Sequence, residues 1–300
     1  MADRQRERTA TAKGERAHPE VVMAEVGEAL WWSGQYVEHP WMRSRRAVSD
    51  PLRPRASLRT AVVWEVLKDA LERRAKAAVP EGSGLDVLDT GGGTGNFAVP
   101  VAELGHRVTV VDPSPDALFA LERRAAEAGV TDRVRGVQGD AGGLLDVVES
   151  GAYDVVLCHG VLEYLDDPAG GVRNVVRALR PSGTLSLLAA GRNGAVLARA
   201  IAGHFGEARR GLTDPDGRWG EGDPLPRRFT AEELTALVGE AGLEVASVHG
   251  VRVFADLVPG VLVDTEPGAV EALRELELAA AELPAFHSIA TQLHVLAHRG

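Results

Sequence analysis

Leu85-Asp-Val-Leu-Asp-Thr-Gly-Gly-Gly-Thr-Gly-Asn-Phe97 leads a short apolar run directly into Gly91, Gly92, Gly93 and Gly95 and then into a helical pattern. Glycine is needed where a chain turns sharply and where a ligand lies too close for any Cβ. The segment therefore predicts a strand over Leu85–Asp89 whose end cradles a nucleoside-type cofactor, followed by a helix near Asn96–Leu104. A dinucleotide fingerprint begun at Gly91 and Gly93 requires its third glycine three residues on, where Asn96 stands. That departure weakens a nicotinamide reading.

Outward from the loop, strand-like runs alternate with helical periodicity. Strands are expected at Arg107–Asp112, Val134–Gln138, Tyr153–Cys158 and Gly183–Ala189, with helices at Asp116–Ala128 and Gly170–Leu179 between them. After Ala190 a helix near Ala195–Ala202 gives way to a glycine- and charge-rich loop. Thr230-Ala-Glu-Glu233 then starts a helix over Ala231–Ala241 with a capping box. Strands at Leu243–Phe254 and Ile289–His298 enclose a further helix from Gly268 to Leu283, and Ser57–Ala78 forms an amphipathic helix ahead of the first strand. This order predicts an α/β fold: a Rossmann-like, doubly wound, seven-stranded sheet with helices on both faces, an N-terminal helical extension and a small cap insertion. The expected organisation is a disordered arm over 1–20, a helical and basic segment over 21–84, and a main domain over 85–300 whose cap spans 191–228.

Three strand ends supply polar groups. Asp89 precedes the glycines, Asp112 ends the second strand where it can accept hydrogen bonds from ribose hydroxyls, and Gly139-Asp140-Ala141 follows the third, placed to read an adenine edge. Together they describe an adenosine site.

The 300 residues are 45% hydrophobic, enough for a substantial core, and the apolar runs are far shorter than the roughly 20 residues of a membrane helix. The first sixteen residues lack the apolar core of a secretion signal. Cys158 stands alone, which rules out an internal disulfide and argues against a cysteine-built metal site. These features lead to the expectation of a cytoplasmic protein without a metal. A net charge of -10 argues against a generic nucleic-acid binder, yet Arg43, Arg45, Arg46, Arg53, Arg55 and Arg59 face a single acid, Asp50, in one local basic stretch. His204, His249, His287, His294 and His298 show no metal-ligand spacing, and no hydrolase triad is evident.

The Asp-x-Gly-Gly-Gly-x-Gly loop, the acids closing the second strand and following the third, and Tyr153-Asp-Val-Val-Leu-Cys-His-Gly-Val-Leu-Glu-Tyr164 resemble the class I S-adenosylmethionine-dependent methyltransferases. That resemblance covers about Leu85 to Ala189 and implies S-adenosyl-L-methionine as cofactor. A closer one, to the bacterial tRNA carboxymethoxyuridine methyltransferases, rests on Leu58-Arg59, the glycine loop, His159-Gly-Val-Leu-Glu163, Ala202-Gly-His-Phe205, Gly250-Val-Arg-Val-Phe254 and His294-Val-Leu-Ala297. It implies cofactor contacts at Arg59, Gly91, Gly92, Asp112, Ala141 and His159, with Arg59 pairing the cofactor's carboxylate. Two stretches depart from that family, Gly191-Arg192-Asn193-Gly194 and the mixed-charge run from Ala208 to Asp223.

With Asp89, Gly93 and Asp140, these residues make up the expected cofactor site. On the acceptor side Arg192 and Arg252 are candidate cations for a carboxylate, and Glu163 and Tyr164 candidate wall residues. The expected acceptor is tRNA or a small molecule. A cofactor-binding regulator that performs no transfer is the reading from another class.

Overall fold

The computed structural model describes residues 53–78 and 84–300. The expected arm, and the basic stretch ahead of residue 53, lie outside the described residues. Seven strands, β1 (Asp86–Thr90), β2 (Arg107–Asp112), β3 (Val134–Gln138), β4 (Tyr153–His159), β5 (Leu179–Ala190), β6 (Leu243–Val251) and β7 (Gln292–Arg299), form one sheet. Its order is β3-β2-β1-β4-β5-β7-β6. β1 to β5 pair in parallel, whereas β7 runs antiparallel to both β5 and β6.

The central strands are apolar runs because both of their faces are covered. Successive side chains of a strand point to opposite faces, so Val87, Val155 and Leu157 enter one core and Leu88 and Val156 the other. The first core is closed by Leu67 and Leu71 of the helix Arg53–Ala78, by Val101 of the helix Ala98–Glu103 and by Leu121 of the helix Pro115–Glu127. The second receives Val172, Val175 and Val176 from Pro168–Ala178 and Leu234 and Val238 from Ala231–Glu240. The helix ahead of β1 thus shares its core with the sheet.

Several boundaries differ from the expectation. β5 begins at Leu179, four residues early, because Leu179 pairs with Tyr153 before the register shifts and Ser182 takes a left-handed φ of 58°. β6 ends at Val251 rather than Phe254, since Arg252 also has a φ of 58° and leaves the extended path. The expected loop after Ala202 contains the helix Phe205–Thr213. Its composition read as loop, but Ala208 and Gly211 are buried, and Gly211 lies against Val196 of the helix Arg192–Ile201. Tertiary packing outweighs weak local propensity there.

Candidate functional site

The strand order reverses between β1 and β4, and in such sheets ligands bind in the crevice beyond the carboxyl ends at that point. The glycine loop lies there. Gly91, Gly93 and Gly95 have φ values of +66°, +55° and +81°, which L-residues with a Cβ rarely adopt. A Cβ on Gly91 would fall 2.5 Å from Val161, and one on Gly92 2.5 Å from the Asp89 carboxyl, so the loop is pressed against its own support. At Gly93 the nearest atom would be 3.8 Å away, the Asp112 Oδ2, which leaves room for a ligand.

Carboxylates hold the loop from beneath. Asp112 accepts from the Gly93 amide at 2.9 Å and the Ser114 amide at 2.9 Å, joining the ends of β1 and β2. Asp89 is buried, and burial, reinforced by the charge of Asp112, pushes its carboxyl up to about 7. Asp140 accepts from the Gly143 amide at 2.8 Å, and the carbonyls of Ala141 and Gly142 receive the Asn174 amide at 3.4 and 2.7 Å. Sequence reasoning missed Arg124, whose guanidinium donates to Thr94 O at 3.0 Å, Thr94 Oγ1 at 3.2 Å and Asn96 Oδ1 at 2.7 Å. Asn96, the residue that breaks the dinucleotide spacing, is an anchor for that clamp.

β4 delivers the next group. His159 is its last residue, and the imidazole meets Phe97 edge-on with ring centroids 4.7 Å apart. Its Nε2 lies 2.9 Å from Ser186 Oγ, while Nδ1 is buried with no partner. Burial pushes this imidazole down to about 3, which keeps it neutral. Glu163 is buried and accepts from the Ala190 amide at 2.6 Å, joining the turn after β4 to the end of β5; burial pushes its carboxyl up to about 7. Tyr164 is exposed on the same short turn, Leu162–Tyr164, and partial burial raises its phenol. The Cys158 thiol, buried and pushed up to about 12, is unreactive.

Further along the same sheet edge, Asp256 gathers three residues. It accepts from Arg252 at 2.7 Å and Thr291 Oγ1 at 2.7 Å and lies 4.0 Å from Arg59 Nε. Arg59 and Arg252, far apart in the chain, share one carboxylate.

Arg192 has a different neighbourhood. It donates to Glu233 at 2.9 Å and Pro215 O at 2.7 Å, lining with Asp216 and Arg227 an open groove of about 410 Å³. Glu233 in turn closes the capping box of the helix Ala231–Glu240. Within the cap Arg228 is 2% exposed, donates to Asp223 at 2.7 and 2.8 Å, and stacks 3.7 Å above Trp219, over which Arg199 also lies at 4.1 Å. Gly191 and Gly194 would place a Cβ 2.3 and 2.2 Å from the Ala290 carbonyl. Their departure from the family pattern has a packing cause.

The residues fit an adenosine-type cofactor bearing an amino-acid tail: a loop with space at Gly93, a carboxylate at the end of β2, and an unpartnered imidazole nitrogen beside them. A methyltransferase-domain family model matches residues 88–185. The tRNA 5-carboxymethoxyuridine methyltransferase of Escherichia coli (strain K12) is 29% identical over 245 residues, 82% of this chain and 89% of that protein. The ubiquinone biosynthesis O-methyltransferase of Azorhizobium caulinodans is 32% identical over 200 residues, 67% of this chain and 74% of that one. A crystal structure of an S-adenosylmethionine-dependent methyltransferase from Mesorhizobium loti shares the fold with a TM-score of 0.50 at 21% identity, covering 78% of this chain and all of that one. The chain belongs to the S-adenosylmethionine-dependent methyltransferases. Among the described residues, no helix is long and apolar enough to cross a membrane.

Proposed function

We propose that the protein methylates a carboxylate oxygen of a modified wobble uridine in tRNA. When bound, the cofactor supplies an electrophilic methyl group on a sulfonium. The protein's task is then alignment, because displacement needs the acceptor oxygen about 3 to 3.5 Å from that carbon. In this reading the glycine loop, Asp89, Asp112, Asp140, Ala141, His159 and Arg59 hold the cofactor.

Arg252 is the observation that carries the carboxylate acceptor. Its backbone sits at a φ of 58°, a conformation that persists outside glycine only where surroundings enforce it. The guanidinium is anchored to the buried Asp256, and its Nε–H, like those of Arg74 and Arg192, is buried without a hydrogen-bond partner; Arg252 differs from both in its left-handed backbone. A cation with a donor to spare suits the orientation of an anion. A carboxylate is ionised at neutral pH and needs no general base, which agrees with a His159 kept too weakly basic to deprotonate a phenol. The likeness to the Escherichia coli tRNA enzyme over most of both chains supports the RNA substrate.

Mass spectrometry of tRNA nucleosides from a deletion strain tests the proposal. The methyl-ester nucleoside is expected to vanish and its free acid to accumulate; an unchanged methyl-ester level sinks it. The likeness to the Azorhizobium O-methyltransferase supports a second reading, a small phenolic acceptor. Labelled-cofactor assays with small acceptors and no RNA separate the two. The departure at Gly191–Gly194 gives a non-catalytic reading no support, since a Cβ on Gly191 or Gly194 would meet the Ala290 carbonyl.

A further inference from the structure

A line of polar side chains crosses four adjacent strands on the sheet face beneath the helices Arg53–Ala78 and Ala269–Ala281. It starts at His159 on β4, whose Nε2 is 2.9 Å from Ser186 Oγ on β5. The same hydroxyl is 2.8 Å from His294 Nε2 on β7, and His294 Nδ1 is 3.2 Å from Nδ1 of His249 on β6. Ser186 and His294 are wholly buried and His249 is 2% exposed. The His249 and His294 rings stack with centroids 5.3 Å apart. Apolar side chains would fill this face at no desolvation cost, whereas buried polar groups are costly unless satisfied. Of the buried ring nitrogens in the line, His159 Nδ1 is left without a partner, on the last residue of β4 at the carboxyl end of the strand.

Two polarities satisfy every link and also give the Ser186 O–H an acceptor within the line. Burial keeps the three imidazoles neutral, so each carries one ring proton, the hydroxyl carries one, and each of the three links needs one. If His294 Nδ1–H donates to His249, then Ser186 O–H donates to His294 Nε2, His159 Nε2–H donates to Ser186, and His159 Nδ1 is a bare acceptor. If His249 Nδ1–H donates instead, every link reverses and His159 Nδ1 carries a proton. The first polarity presents a bare acceptor at His159 Nδ1 and the second a donor; the ammonium of the cofactor's amino-acid tail is a donor and matches the first.

We propose that Ser186, His294 and His249 are positioning residues that hold the His159 proton on Nε2, so that Nδ1 accepts a hydrogen bond from the ammonium group of the cofactor's amino-acid tail. The cofactor thereby satisfies the ring nitrogen that is buried without a partner among the described residues. The inference requires His159 to face the cofactor and does not depend on which acceptor is methylated.

Histidine-ring nitrogen–proton correlation spectra of the full-length labelled protein, free and with S-adenosylhomocysteine, test it without turnover. The bound wild type is expected to show a single His159 tautomer protonated on Nε2, with the Nδ1 resonance moved by the ligand. Methylthioadenosine, which lacks the amino-acid tail, is expected to leave Nδ1 where it is in the free protein. A proton on Nδ1, or an equal response to both ligands, overturns the proposal whatever the variants do. Ser186→Ala and His249→Phe extend the test. Loss of the hydroxyl is expected to mix the His159 tautomers and weaken S-adenosylhomocysteine binding about tenfold, the scale of one hydrogen bond. His249→Phe keeps a stacked ring and is expected to mix the same tautomers from three links away. Folded variants that both retain the wild-type His159 tautomer would show that the line only fills space.

Discussion

The two halves of the crevice are built from different materials. On the cofactor side, backbone does the work: glycines at positive φ, amides aimed at Asp112, and a loop seated on Asp89 and Val161. On the proposed acceptor side and in the cap, charged side chains predominate, and most are engaged with one another, Arg228 with Asp223, Arg192 with Glu233, Arg227 with Asp216 and Arg252 with Asp256. A cationic sequence is therefore a poor guide to a cationic surface. Arginines that look available to an anion can be structural, and the distinction rests on how the chain folds each one onto its partner, from four residues away for Arg252 and Asp256 to 41 for Arg192 and Glu233.

The largest effect is expected in the cap. Arg228→Ala leaves the Asp223 carboxylate buried without its partner, and stability should fall by about 3–5 kcal/mol, read by denaturant unfolding. A loss below about 1 kcal/mol would mean that the cap rearranges freely.

On the cofactor side, Asp89 sets a pH dependence. Its folded value of about 7 lies above the ordinary 3.8, so the folded state holds the proton more tightly, and stability declines as pH rises between those values. His159, depressed to about 3, has the opposite sign and loses stability as pH falls below its ordinary 6.5. Asp89→Asn should remove the Asp89 slope and leave that of His159, a difference on the order of 2–4 kcal/mol at neutral pH. Parallel pH–stability curves for the two proteins would contradict the assignment.

Gly91→Ala combines the left-handed backbone with a contact 2.5 Å from Val161. Calorimetry should show cofactor affinity reduced about 100-fold or more, about 2.7 kcal/mol. Affinity within a factor of about three would show that the loop has slack. Arg252→Gln, the smallest change, should raise the acceptor KM about tenfold while cofactor affinity stays put. A variant that loses both equally would make Arg252 a support for Arg59 through Asp256, and not an acceptor group.

Much of this architecture was legible before any coordinates. β2 and β3 fall where the apolar runs place them, and the helix starting at Ala231 carries the capping box that Thr230 and Glu233 foretell. These features are local, set by alternation, helical period or a three-residue spacing. The misreadings share the opposite property. The helix Phe205–Thr213 depends on packing against Val196, and the early start of β5 depends on Tyr153. Arg192 is an acceptor candidate by position, and its pairing with Glu233, 41 residues away, is a contact that position does not reveal. Nothing in the spacing of Ser186, His249 and His294 marks them as neighbours.

By itself the sequence determined the α/β alternation, the glycine loop with its departure from dinucleotide spacing, and the acids at the ends of β2 and β3. Each is a property of consecutive residues, fixed by backbone sterics and side-chain periodicity. Only the tertiary structure decided which arginines have a carboxylate beside them, why Gly191 and Gly194 lack side chains, and how His159 connects across four strands to His249. Those outcomes depend on burial and on partners brought together by strand order, where a distance of about 3 Å decides whether a charge or proton is shared.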